Sequence, residues 1–462
     1  MNRKLLWQSF AVFILLQGLA ACKITQNYNR PNVSTEGLYR DGGTDTTSMA
    51  NMPWRNMFSD TTLQNLIQEG LNNNLNLKSA ITRIEVAEAN LYQSRMNFFP
   101  NVTGNGTGVF AKVPNVPSSA TGFARRQFQL YANASWEADA WGKLRSAKRS
   151  NLALLLQSEA TKRAVQTQLI ADIANAYYSL LALDAQLAIT QRNVDIWVSN
   201  VETMKDLKEA AVVTGAAVVQ SEASQYAAEV TIPTLKQTIR ETENALSVLL
   251  ARAPGAITRT TLEAQVPMET LNTGVSAQLL GNRPDVQAAE YSYRSAFEIT
   301  NVARTYFYPS LTLTANGGLS ALSLGGLFST TSIFGNLAAG IAQPIFARGT
   351  NKVRLRTAKA DQENALLNFQ GTLLTAGQEV SNALFAYQTA TERAMIRGRQ
   401  LNSLQKSVDY TKELLKYSSA NYTEVLVAQQ SLLSAELSSV SDRLQQLQSV
   451  VSLYRALGGG WK

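Results

Sequence analysis

The residue types that could do covalent or metal chemistry are scarce in this chain, and that scarcity excludes most mechanisms. Its 462 residues include no histidine and a single cysteine, Cys22. A Ser-His-Asp triad, a Cys-His pair, a His/Cys metal cluster and an internal disulfide are therefore impossible. Carboxylate-only catalysis survives on composition, because 34 residues are Asp or Glu. No Gly-rich phosphate loop of the P-loop or dinucleotide type is present. The sequence nominates no catalytic residue and no metal ligand, and no cluster of methionines suggests metal handling. One thiol remains whose setting points to chemistry.

That thiol ends an export signal. Arg3 and Lys4 precede an apolar stretch from Leu5 to Leu19, and the small residues Ala20 and Ala21 follow. At about fifteen residues the stretch is short for a transmembrane helix, which needs roughly twenty. Leu19-Ala20-Ala21-Cys22 is similar to a bacterial lipobox. Cys22 is accordingly expected to become the lipidated first residue, with diacylglycerol and palmitate as a covalent anchor and no other cofactor. Lys23 stands where the enteric pattern places an aspartate that retains lipoproteins at the inner membrane, so delivery to the outer membrane is expected. Losing Arg3 and Lys4 leaves 40 of the 42 basic residues against 34 acidic ones, a net charge of +6. The densest basic run is Arg125, Arg126, Arg145, Lys148 and Arg149. No stacking aromatics or recognition module accompany it, so it reads as a solvated or headgroup-facing surface and not a nucleic-acid site.

The elements that must position everything else occur twice. A step of 207 residues carries Gly142 to Gly349, Asn175-Ala176 to Asn382-Ala383 and Leu250 to Leu457. With two residues of drift, Phe98-Phe99-Pro100 meets Phe307-Tyr308-Pro309. Duplication of this kind suits a pseudo-symmetric tube or shell better than a single cleft. The division read from the sequence is a signal over 1–21, a leader over 22–60, a first repeat over 61–252, a linker over 253–276, a second repeat over 277–457 and a tail over 458–462.

Each repeat opens with a helix and continues with two strands, expected at about 101–113 and 123–136, then at about 310–320 and 332–344. From Gln127 to Trp136 the even positions are Phe128, Leu130, Ala132, Ala134 and Trp136, whereas the odd ones are Gln127, Gln129, Tyr131, Asn133 and Ser135. One face is greasy and the other wet, over about ten residues, the length of a membrane β-strand. A half-buried strand of a soluble sandwich would read the same. Four strands cannot close a membrane barrel alone, and open edges are not tolerated in lipid. If these strands are membranous, several chains must share one barrel.

Long helical hairpins follow at about 142–252 and 349–457. No proline occurs from Ser118 to Ile232, and no glycine between Gly142 and Gly215. Ile173, Leu180, Leu187, Val194 and Val201 recur every seven residues, with Ala176, Leu183, Thr190, Trp197 and Met204 three further on. This is a coiled-coil seam over five heptads. The first hairpin turns at Val213-Thr214-Gly215-Ala216, and its return is expected to bend at Pro233. The second turns at Tyr417-Ser418-Ser419-Ala420-Asn421.

An ordered set of motifs resembles the TolC family of outer-membrane efflux proteins, in the lipoprotein branch that serves tripartite pumps. The matching stretches are Tyr28-Asn29-Arg30-Pro31, Ser135-Trp136-Glu137, Trp141-Gly142-Lys143-Leu144-Arg145 and Ile232-Pro233. Glu243-Asn244-Ala245-Leu246, Asn282-Arg283-Pro284-Asp285-Val286 and Leu453-Tyr454-Arg455-Ala456-Leu457-Gly458-Gly459-Gly460-Trp461 complete the set, which spans nearly the whole mature chain. The resemblance implies a mixed α and β membrane protein. Three chains would form a homotrimer, giving four strands each to a twelve-stranded outer-membrane barrel continued by a periplasmic α-helical barrel. The implied function is a passive exit duct, fed by a periplasmic adaptor and an inner-membrane transporter of the RND type, with no catalytic step.

The same resemblance implies a gate near the start of the second returning helix, where the family carries acidic rings. Glu424 falls on the first such position and Val427 departs from the second. Three copies of Glu424 would favour cations, although a glutamate there also suits an ordinary helix N-terminus. Thr214, Gly215, Ala216, Asn421 and Tyr422 are the expected adaptor contacts. A lipid-anchored coiled-coil scaffold without a pore and the exit duct of a type I secretion system are the competing readings, and the cargo is not legible in the chain.

Overall fold

The computed structural model describes residues 24–35, 37, 38, 40, 47–110, 126–268, 271, 273–417 and 422–462. The longer elements, in chain order, begin with α1 (Thr61–Asn73), α2 (Leu75–Met96), β1 (Asn101–Phe110) and β2 (Arg126–Ala138). Next come α3 (Lys143–Glu209), α4 (Gly215–Glu229), α5 (Thr231–Leu249) and α6 (Pro284–Thr305). The chain ends with β3 (Ser310–Ala321), β4 (Ile333–Ala342), α7 (Thr350–Lys416) and α8 (Tyr422–Ala456). Helices α3 and α7 each hold 67 residues, a rise of about 100 Å. The described residues within 1–32, 83–158 and 288–369 form one compact unit, and those within 33–82, 159–287 and 370–462 form another.

The first unit is built on one four-stranded antiparallel sheet of order β1-β2-β3-β4. Its middle pairing, β2 with β3, joins strands from the two repeats, with Trp136 opposite Leu313 and Asn133 opposite Asn316. The corners where strands meet helices are pinned by indoles: Trp136 Nε1 donates to the Phe98 carbonyl at 2.9 Å and Trp141 Nε1 to the Pro309 carbonyl at 2.6 Å. Gly142 turns the chain with φ +79°, and the place a side chain would take there is already crowded by Thr25, 3.1 Å from an ideal Cβ. Asp139 then accepts from the Leu144 and Arg145 amides and starts α3.

Residues 24–30 of the leader are extended, yet they are not a loose tail. Asn301 on α6 clamps Gln26 by both backbone groups, accepting from its amide and donating to its carbonyl at 3.0 Å each. Tyr28 sits among Tyr293 and Phe297, its ring 6.1 and 5.6 Å from theirs. Arg30 pairs with Glu290 at 2.5 Å. The basic run also differs from a purely solvated surface. Arg149 holds the fully buried Glu298 at 2.6 Å and Arg145 holds Asp139 at 2.9 Å, because a carboxylate taken out of water needs a partner.

The second unit contains the coiled-coil seam and both hairpin ends. Ile173, Leu180, Val201 and Met204 are buried along α3, and Thr190 is tolerated because its hydroxyl donates to the Gln186 carbonyl. The return of the first hairpin breaks at Val230 and not at Pro233. Proline clashes with the carbonyl four residues back and needs no amide partner in a first turn, so the helix ends at Glu229 and restarts with Pro233 third in α5.

Asp60 organises a polar hub in this unit. One oxygen caps α1, accepting from the Thr62 amide at 2.8 Å, while the other accepts from Tyr177 at 2.6 Å, Thr260 at 2.6 Å and Gln265 at 2.8 Å. Burial alone would raise this carboxyl, but those hydrogen bonds hold it below the ordinary carboxylate value. Burial and the Asp60 bond together push the Tyr177 phenol up to about 12. At the chain's end Gly458 has φ +88°, and an ideal Cβ would lie 2.4 Å from the Asn282 carbonyl oxygen. Trp461 Nε1 donates to that same carbonyl at 2.9 Å.

Candidate functional site

Two surfaces could conduct or select solutes: the faces of the sheet in the first unit and the hairpin ends in the second. On the sheet, the register extends the alternation of β2 across all four strands. One face carries the row Val102, Ala134, Ala315 and Leu337, with Leu130 level with Leu319 and Ile333. The opposite face carries the row Thr103, Asn133, Asn316 and Asn336. Leu130, Leu313, Ile333, Leu337 and Ile341 are all exposed on the apolar face, an arrangement that suits lipid on one side and water on the other. Among the described residues, strands β1 and β4 form the two edges, each paired on one side only. No described helix is long and apolar enough to cross a membrane.

The hairpin ends in the second unit meet around one apolar cluster. Trp197 and Met204 of α3 and Val218 and Ala228 of α4 pack with Tyr422, Val425 and Leu426 of α8. Thr214, Gly215 and Ala216 are exposed at the first turn, just past Ala211, whose φ of 56° reverses the chain. Glu424 lies in the first turn of α8, exposed and without a partner among the described residues. Val427 is exposed one turn further along the same face. Tyr422 differs from its expected place as an adaptor contact: it is only 7% exposed and belongs to the cluster, where burial raises its phenol. Its place at a hairpin end made it a contact candidate, but the ring is larger than its hydroxyl and the apolar cluster takes it. Asn421 and Cys22 lie outside the described residues.

Above the ends, polar pairs join the helices of the second unit. Asn200 donates to Gln429 at 2.7 Å and Arg192 pairs with Glu436 at 3.2 Å, linking α3 to α8. The buried Asp442 of α8 is held by Arg397 at 3.1 Å and Arg393 at 3.5 Å from α7. Sequence reasoning singled out none of these positions, because each partner is distant along the chain and no local pattern marks the pair. Among the described residues no group of acidic, histidine or cysteine side chains could hold a metal ion.

The family model for outer membrane efflux proteins matches residues 66–252 and 275–459. The toluene efflux pump outer membrane protein TtgC of Pseudomonas putida is 29% identical over 470 residues, covering 100% of this chain and 96% of that protein. The cation efflux system protein CusC of Escherichia coli O157:H7 is 28% identical over 465 residues, covering 97% of this chain and 98% of its own length. Among solved structures, the open state of the Neisseria gonorrhoeae MtrE outer membrane channel superposes with a TM-score of 0.85 at 26% identity, over 96% of this chain and 99% of that one.

Proposed function

Because the chain belongs to the outer membrane efflux protein family, we propose that it acts as the exit duct of a tripartite efflux system, taking substrates from an inner-membrane RND-type transporter through a periplasmic adaptor. It is an outer-membrane channel and not an enzyme. The observation that carries the reading is the two-faced sheet with both edges open. Lipid requires every strand edge to be paired, and a neighbouring copy can supply β1 for β4. Three copies would close twelve strands into a barrel with the Thr103, Asn133, Asn316 and Asn336 face turned to the lumen. A scaffold without a pore gives that sheet no task.

In this reading Cys22 carries the diacylglycerol and palmitate anchor, and the leader residues that follow it in the sequence dock along α6 through Gln26. Glu424 contributes one carboxylate per chain to a ring at the periplasmic opening, favouring cations there. The exposed Thr214, Gly215 and Ala216, with Asn421, offer the adaptor its contact. Deleting the gene tests the duct directly. Minimum inhibitory concentrations for dyes, detergents, antibiotics, bile salts and metal ions should fall for at least one class and recover with a plasmid copy. Unchanged values for every class, in a strain lacking other ducts, would refute the reading.

A further inference from the structure

The polar face of the sheet is nearly free of charge. Among the described residues its one ionised side chain is Glu137, which Lys143 neutralises at 3.0 Å. Apart from Val109 towards the end of β1, the remainder is Asn, Thr, Gln, Ser and small residues, except for two aromatic side chains in the row next to Asn133 and Asn316. That row reads Asn105, Tyr131, Gly318 and Phe334 across the four strands.

Gly318 leaves a notch there that no other residue can occupy. An ideal Cβ would lie 2.2 Å from the Leu130 carbonyl oxygen and 2.5 Å from the Tyr131 Cα. Tyr131 and Phe334 stand one strand to either side, where two strand spacings would put upright side chains about 9–10 Å apart. Their ring centroids are instead 6.3 Å apart, tilted by 56°. The rings lean towards each other over the notch, both partly exposed, on a face with no apolar core to fill.

We propose that Tyr131, Phe334 and the Gly318 notch form a cargo-binding step in the exit lumen that holds planar aromatic solutes, neutral or cationic, by stacking. Ring faces attract aromatic and cationic groups, and the Asn133, Asn316 and Asn336 amides beside them can donate to and accept from a solute's polar atoms. With no other charge among the described residues of the face, stacking is left as the selective interaction. The inference rests on the reading of this face as a barrel lumen.

Single-channel recording of the purified full chain in planar bilayers tests it, with ethidium and the aliphatic cation tetrabutylammonium applied separately. Ethidium should produce blocks lasting about fivefold longer, the factor that about 1 kcal/mol of stacking supplies. A Tyr131→Leu, Phe334→Leu double variant should bring ethidium down to the tetrabutylammonium dwell time. Tyr131→Phe, which keeps the ring, should retain the long blocks. Equal dwell times in the wild type would overturn the proposal, even if the double variant fails to insert. An unchanged ethidium dwell time in the double variant would overturn it too, since a ring that only covers Gly318 has no part in binding. A wild-type protein that inserts and never conducts would instead refute the exit-duct reading.

Discussion

Removing the Arg283 guanidinium should loosen the second unit more than any surface change. The side chain is 6% exposed and makes four contacts: to Asp285 at 3.0 and 2.5 Å, to Glu379 at 2.8 Å and to the last-turn carbonyl of Ala456 at 2.7 Å. Burial would lower its pKa, but Asp285 and Glu379 hold it above the ordinary value, so the group stays charged. In Arg283→Ala the Ala456 carbonyl loses this donor and Asp285 loses its cation, while Glu379 retains Arg455 at 3.4 Å. Breaking a buried charge cluster costs about 3–5 kcal/mol. The partial exposure of both carboxylates places the loss at the lower end, about 3 kcal/mol. At about 2 °C per kcal/mol for a body of this size, melting should fall by about 6 °C. Far-UV circular dichroism of the detergent-solubilised protein reads this directly. Arg283→Lys keeps the charge but lacks the fork that reaches three partner residues, and should recover about half the loss. An Arg283→Ala protein melting within about 1 °C of wild type would show that this charge cluster does not hold the second unit together.

Asp60→Asn turns an amide towards the Tyr177 and Gln265 donors and should destabilise the protein by about 1–3 kcal/mol at neutral pH. Since Asp60 is held below its ordinary pKa in the folded chain, its contribution is present above the unfolded value of about 3.9 and fades as pH falls through the folded one. The gap between wild type and variant in melting temperature should therefore close below about pH 4, and a gap independent of pH would exclude the ionised Asp60 as its source. Gly318→Val should abolish recovery of folded channel from outer membranes, whereas Gly317→Ala, whose nearest neighbour to an ideal Cβ is 3.9 Å away, should be recovered normally. Equal recovery of the two would show that the close approach at Gly318 is dispensable. Glu424→Gln should lower the cation-to-anion permeability ratio of the purified pore severalfold, on the order of what one lost charge ring does. An unmoved reversal potential would remove Glu424 from selectivity.

The parts of the fold written in local periods were legible in the sequence. Alternation from Gln127 to Trp136 announces a strand with two unlike faces, and the seven-residue recurrence from Ile173 to Val201 announces a long packed helix. Those signals depend on neighbours in the chain. What the sequence withheld depends on partners far away. Tyr177 reaches Asp60 across 117 positions, and Arg149 reaches Glu298 across 149. Nothing near Arg149 distinguishes it from the exposed Arg126 in the same basic run. Tyr422 was legible as a residue at a hairpin end but not as a core residue, because its burial comes from Trp197 and Met204 on another helix. Gly318 reads as one of many glycines in β-strands, and only the cross-strand register sets it between Tyr131 and Phe334.

In the proposed duct the open sheet edges of one chain are closed by two further copies around a lumen. Native mass determination of the purified protein in detergent, followed by single-channel recording of the same particle in a planar bilayer, decides whether they are. A three-chain particle that inserts and gives discrete, stable conductance steps is the predicted result. A folded single chain, or a three-chain particle that binds the bilayer without ever conducting, would contradict it.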